Sequence, residues 1–488
     1  MVVNSLTFLL FFVVVFTAYY LPVFKKTPKY QNWVLLISSY FFYAYADWRM
    51  IPLLFVSTAV FYGLGIWIKK KVDEEKWDAV TRLTVLGVVL GVGVLLYFKY
   101  FNFFAESFAQ LLSACGFNVS WTALNIIIPV GVSFFTFKLI SYVLEISNEA
   151  IDPTKDFVEF ALYISFFPTI MSGPIDRPNK FIPQLTATRK FDYAMAMDGC
   201  RQILWGVFIK MCIADNLAPS TDYIWSNYQN ESGSTLLLVA LLGYIQLYAD
   251  FDGYSNMAIG VGKVLNIKVT RNFNHPLLSR NVADFWRRWH MSLTTWITDY
   301  VFTPLSYAFR SMGTWGIIIA VMINLFVIGL WHGANWTYIL FGVYHGLLFV
   351  PLVLSGSFSK GSKLLPNSFG LPRMKDVLQM ILTFFIISFG IILFRAESVY
   401  EAMGYFTGIF THSLFSIPSM PMGMSVVLFV FILLVLEWYK RDFEHPLQFS
   451  NNTSVLQTRL RYALDYVIIL LIVFFGNFES SQFIYFQF

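Results

Sequence analysis

Apolar runs about as long as a bilayer is thick recur along almost the whole chain, and nothing in the sequence constrains folding more. A helix crossing hydrocarbon needs about 20 predominantly apolar residues. Candidates stand at 5–24, 31–46, 50–68, 83–98, 124–144, 157–171, 234–261, 315–331, 336–354, 377–394, 424–438 and 462–476. Segments 100–117, 199–214, 282–305 and 398–411 are shorter or more polar and suit interfacial, re-entrant or bundle-completing helices. The reading is an all-α polytopic membrane protein with about eleven to thirteen spans. Charge agrees, because only 13% of the 488 residues are Asp, Glu, Lys or Arg, against about 25% in a soluble domain. A net charge of +5 is too small and scattered for a nucleic-acid binder. With no repeat, low-complexity tract or long hydrophilic segment, residues 1–488 read as one membrane domain.

Basic loops set the expected orientation. Lys25, Lys26 and Lys29 follow the first span and Lys69, Lys70 and Lys71 the third, while only Asp47 and Arg49 separate the second from the third. This places the N-terminus outside the cell. The first run lacks a basic leader and a small-residue cleavage site, so it reads as an uncleaved span rather than a signal peptide. Segments 177–190, 263–288, 360–375 and 439–461 are basic and suit the cytoplasm, whereas 218–235 and 411–423 carry no Lys or Arg. The C-terminus is then outside too, and 477–488 forms an extracytoplasmic aromatic tail.

Ionisable groups at membrane depth are costly, and each is a site hypothesis. Lys138 and Glu145 lie two helical turns apart with Tyr142 between them; a snorkelling lysine and a span end explain them equally well. Asp250, Asp252 and Asn256 interrupt an apolar run, where carboxylates must line water or pair with a base. Segment 271–305 mixes aromatics with Arg280, Asp284, Arg287, Arg288, His290 and Asp299. It reads as an interfacial or re-entrant amphipathic helix, whose Arg287 and Arg288 would meet donor phosphates or lipid head groups. The stretch 323–349 holds His332 and His345 with Asn324, Trp331 and Asn335. An imidazole takes up a proton near neutral pH and is the usual general base, although a lone buried histidine is more often structural. No Cys/His spacing supports a metal site, and the glycine pairs Gly87/Gly91 and Gly342/Gly346 read as close helix packing.

Four stretches then stand in order: FFPTIMSGPIDRP (166–178), YADFDGYSNMAIG (248–260), NFNHPLLSRNVADFWRRWHMSLTTWITDYVFTPL (272–305) and LWHGANWTYILFGVYHG (330–346). Together they closely resemble the membrane-bound O-acyltransferases, in particular the bacterial branch typified by alginate O-acetyltransferase. The likeness runs from about residue 30 to the end, with core motifs at 126–346. It implies a ring of tilted helices around a thin central wall, in which a cytoplasmic donor pocket and an extracytoplasmic acceptor funnel meet. It implies a catalytic histidine at His332 and a second family histidine at His290. Lys138 departs from the family pattern, which has Gln there, and is assigned no catalytic role. The terminal FIYFQF (483–488) is similar to terminal motifs of the same acyl-transfer systems and makes Tyr485 a possible acyl acceptor, with interfacial anchoring as the alternative.

The expectation is therefore an O-acyltransferase of the bacterial inner membrane that carries an acetyl group outward for O-acetylation of an extracytoplasmic polysaccharide. His332 acts as general base, and His290 or Asn335 orients groups or holds the thioester carbonyl oxygen. Trp331, Arg287, Arg288 and Asp252 are expected substrate or donor contacts. No cofactor or metal is expected to be bound; the donor is acetyl-CoA or an acyl-carrier thioester. Expected partners are an exported hydrolase-like acetyltransferase, polysaccharide synthesis and export machinery, and membrane lipids, with no nucleic acid. The rivals are D-alanyl transfer to teichoic acid from a carrier protein, acylation of an internal lipid, and a transporter without acyl chemistry.

Overall fold

The computed structural model describes residues 1–488 except 2, 22–26, 118–123, 125, 359–363, 365, 422, 450–454, 480–482 and 484–488. Every regular element among the described residues is helical. Six helical stretches are long and apolar enough to cross a membrane: Pro28–Asp73, Trp77–Ala114, Gly233–Val264, Thr314–His332, Trp336–Leu354 and Met374–Arg395. Shorter apolar helices stand at Leu6–Tyr20 and Met424–Tyr439. The protein is thus an all-helical, multi-pass membrane protein. The chain forms two compact units, one of Met1–Ile203 with Met257–Thr270 and one of Leu204–Asn256 with Arg271–Phe488.

In the first unit the Val132–Ser147 helix is buried along its length apart from Leu144 and Ser147. Glycines on its neighbours let this helix in. A Cβ at Gly65 would stand 2.5 Å from Tyr142, one at Gly91 2.7 Å from Ile140, and one at Gly87 3.1 Å from Val143. Lys138, fully buried, donates to Thr169 Oγ1 at 2.9 Å. Two segments expected to span, 124–144 and 157–171, form helices of 16 and 9 residues. Gly131, at φ +73° with Ile170 O only 2.2 Å from where a Cβ would be, delays the first. Pro168 and Gly173 follow the end of the second.

The second unit is organised by the hairpin Thr314–His332 and Trp336–Leu354. A Cβ on Gly329 would lie 2.2 Å from Tyr338 O, one on Gly342 2.4 Å from Leu325 O, and one on Gly346 2.7 Å from Met322 Sδ. The two backbones therefore touch, the small-residue packing that apolar solvent favours. Segment 271–305 holds a short helix, Val282–Trp286, and a longer helical run in which the π-helical turn Thr298–Phe302 joins Met291–Ile297 to Thr303–Ala308. Val282–Trp286 is buried throughout, together with Phe273, Trp289 and His290, whereas the run beyond Ile297 has no buried residue as far as Ala308.

Gly329→Val should lower the melting midpoint of detergent-solubilised protein, by overpacking worth about 1–3 kcal/mol. Gly63→Ala, whose Cβ meets nothing within 4 Å, should leave the midpoint unchanged or raise it.

Candidate active site

His332 ends its helix because Gly333 leaves helical conformation, at φ −171° and ψ 162°. A side chain at Gly333 would strike the Tyr338 ring at 2.2 Å, so this turn is closely packed. The His332 ring is 3% exposed and enclosed by aromatics. Ring centroids lie 5.1 Å away for Trp331, 5.0 Å for Phe394 and 6.0 Å for Phe341.

His290 reaches the same place from the 271–305 segment. It is fully buried and held at φ +43° and ψ 50°, a left-handed conformation that non-glycine residues seldom adopt and that clusters at functional sites. Its ring sits edge-on to Phe251 at 4.7 Å and to Trp331 at 5.6 Å. Nδ1 lies 3.0 Å from Asn272 Oδ1, and Met291 N–H donates to Asn272 O at 2.7 Å. The indole of Trp331 thus touches both motif histidines.

A cavity of about 720 Å³ opens beside this cluster. Its wall includes Lys210, Asp215, Gln246, Asp250, Asn335, Tyr338, Phe394 and Arg395. Phe394 belongs to both places, facing the cavity and packing on the His332 ring. Asn335 caps the next helix: its Oδ1 accepts from Thr337 N–H at 3.1 Å and its Nδ2 donates to Glu397 O at 2.7 Å. Asp250 pairs with a base, the buried Lys210, which holds Asp215 as well, both at 2.6 Å. Arg395 pairs with Asp222. Phe483, 1% exposed, lays its ring 4.4 Å from Lys210 Nζ and 5.0 Å from Tyr254. Tyr485 lies outside the described residues, as do Lys25 and Lys26.

The two adjacent arginines have different surroundings. Arg288 is engaged with Asp284 and with Asn274 O, both at 3.1 Å. Arg287 is exposed and edges a second, mostly apolar cavity of about 260 Å³ with Trp286, Asn324, Ile328 and Phe358. Asp252 is buried on the Gly233–Val264 helix with Tyr248 and Arg271 as neighbours, and the Tyr248 hydroxyl bonds Glu437. His345, fully buried, accepts at Nδ1 from Trp286 Nε1 at 3.3 Å. No group of three His, Cys, Asp or Glu suited to a metal occurs among the described residues.

Sequence reasoning missed Lys210, Asp215 and Asn272. Lys210 lies in the polar segment 199–214, and a buried carboxylate such as Asp250 requires a cation somewhere; that demand was the available signal. Asn272 carried none, being one of several polar residues in a loop.

Comparison with known proteins places the chain in a class of membrane acyl-transfer enzymes. Residues 147–365 match the membrane-bound O-acyltransferase family. The chain is 32% identical over 461 residues to the probable alginate O-acetylase of Pseudomonas aeruginosa, covering 92% of this chain and 83% of that one. It is 30% identical over 421 residues to the peptidoglycan O-acetyltransferase of Helicobacter pylori, covering 80% and 75%. The teichoic acid D-alanyltransferase of Bacillus subtilis is 32% identical over 285 residues, 56% of this chain and 70% of that one. The chain belongs to the membrane-bound O-acyltransferase family and is an O-acyltransferase.

Lys210→Met should strand two buried carboxylates and cost about 3–5 kcal/mol, read as a large fall in melting midpoint in detergent. An unchanged midpoint would show that water or another cation serves Asp215 and Asp250.

Proposed function

We propose that the chain moves an acetyl group from a cytoplasmic thioester, acetyl-CoA or an acylated carrier, to a hydroxyl outside the membrane, and so serves O-acetylation of a cell-envelope polysaccharide. The observation that carries this reading is the packing of His332 and His290 against one Trp331 indole, with the His332 cage reached from the large cavity through Phe394. A ring nitrogen of His332 takes the proton of the acceptor hydroxyl as its oxygen attacks the thioester carbonyl carbon. The C–S bond breaks, and the departing thiolate recovers that proton from the imidazolium. His290 orients the reactants from the other side of the indole.

The charge of the large cavity supports its use by the acceptor. Lys210 and Arg395 face four carboxylates there, Asp215, Asp222, Asp250 and Glu397, a lining that disfavours a donor's phosphates. Arg287, beside the smaller cavity, suits them better. Tyr485 is the proposed first acceptor, and the position of Phe483 against Lys210 supports this. The aryl ester so formed is activated, and splitting the transfer into two steps lowers each barrier. A separate exported acetyltransferase would carry the group from Tyr485 to sugar. We place the chain in the bacterial inner membrane with both termini outside. Acetyl rather than D-alanyl transfer is favoured because the alginate O-acetylase match spans 92% of the chain and the D-alanyltransferase match 56%.

In cells, His332→Ala should abolish polymer acetylation at normal protein levels, a loss on the order of 100-fold or more for a general base. Tyr485→Phe should do the same without altering the melting midpoint. Acetylation surviving in the first variant removes the base assignment, and survival in the second removes only the relay.

A further inference from the structure

The side chain of Asn272 sits among four hydrogen-bonding groups, and together they fix its orientation. Ser292 backbone N–H, which can only donate, lies 3.4 Å from Asn272 Oδ1. Ser292 Oγ donates to the same atom at 2.9 Å, and Asn272 Nδ2 donates to Ser255 Oγ at 3.1 Å. The atom facing His290 Nδ1 at 3.0 Å is therefore the carbonyl oxygen, which accepts and cannot donate. A neutral imidazole carries one N–H, so that hydrogen is on Nδ1 and the lone pair is on Nε2. The positive φ of His290 and the Met291 N–H bond to Asn272 O fix the backbone that carries the ring, and Phe251 and Trp331 pack against the ring itself.

We propose that Asn272 is the positioning residue that holds His290 as its Nδ1–H tautomer, so that neutral His290 presents a lone pair at Nε2 to the substrates. This rests on His290 belonging to the acyl-transfer machinery proposed above. Neutral His290 then accepts a hydrogen bond from an O–H or N–H of a substrate and donates none there. Holding the thioester carbonyl oxygen is not its task, since that requires a donor. The logic is that of a histidine whose outer partner sets which nitrogen faces the chemistry.

Two substitutions separate positioning from structure. Asn272→Asp keeps an acceptor toward His290 Nδ1 and Ser292, and the Ser255 hydroxyl can turn to donate to the second oxygen. Asn272→Leu keeps the bulk and removes every polar contact. With acetyl-CoA as probe donor, Asn272→Leu should lower kcat on the order of 10–100-fold, the usual cost of losing an orienting partner, with KM for the donor within about twofold. Asn272→Asp should lose less kcat than Asn272→Leu, because it keeps the acceptor that holds the hydrogen on Nδ1. Equal loss in both variants, or none in Asn272→Leu, overturns the proposal. Wild-type activity in His290→Ala would instead overturn the placement of His290 in the machinery, a separate failure. A direct check needs no Asn272 variant. The chain has six histidines, so ring-nitrogen NMR of isotope-labelled protein, minus the spectrum of His290→Ala, isolates His290. A protonated Nδ1 with a bare Nε2 is expected, and the reverse pattern refutes the assignment.

Discussion

Hydrocarbon offers no hydrogen bonds, so every polar or ionised side chain held at membrane depth must find its partner inside the protein. That constraint arranges the interior of this chain. Lys210 is bound by two carboxylates, Asp215 and Asp250. In the other unit the buried Lys138 donates to Thr169 Oγ1. Each such group fixes the segments it joins, since separating them would strand a charge. Apolar contacts set how near the helices come, and the glycines of the Thr314–His332 and Trp336–Leu354 hairpin set it at backbone contact.

The histidines answer the same constraint differently. His332 is surrounded by aromatic rings, Trp331, Phe341 and Phe394, while His290 is tied to an amide. The amide oxygen that faces His290 Nδ1 sets the tautomer of that ring. In the proposed mechanism His332 is the base that exchanges its proton and His290 the partner that orients. Trp331, touching both, couples their positions, and Phe394 stands between His332 and the cavity through which an acceptor would come.

The class of fold was legible, because apolar runs of bilayer length and a depleted charge content leave few alternatives. The two histidines were legible through the motifs around His332 and His290. What lay beyond reach depended on distance in the chain or on direction in space. Asp250 announced the need for a cation, but Lys210 lies forty residues earlier, and nothing local joins them. Arg287 and Arg288 are equivalent as adjacent letters, yet the turn that follows Val282–Trp286 leaves one exposed by a cavity and brings the other onto Asp284. Asn335 stood out as a polar residue in an apolar stretch, and its amide is occupied in capping a helix. The segment 157–171 was apolar enough to span, but the helix stops at Ser165, three residues before Pro168.

In the proposed function an acyl group crosses the membrane through the His332 site. Right-side-out vesicles containing the chain and loaded with labelled acetyl-CoA test it most directly. Label should become attached to a hydroxyl acceptor supplied outside when the chain is wild type, and remain inside when it carries His332→Ala. Equal transfer by the two proteins would contradict it.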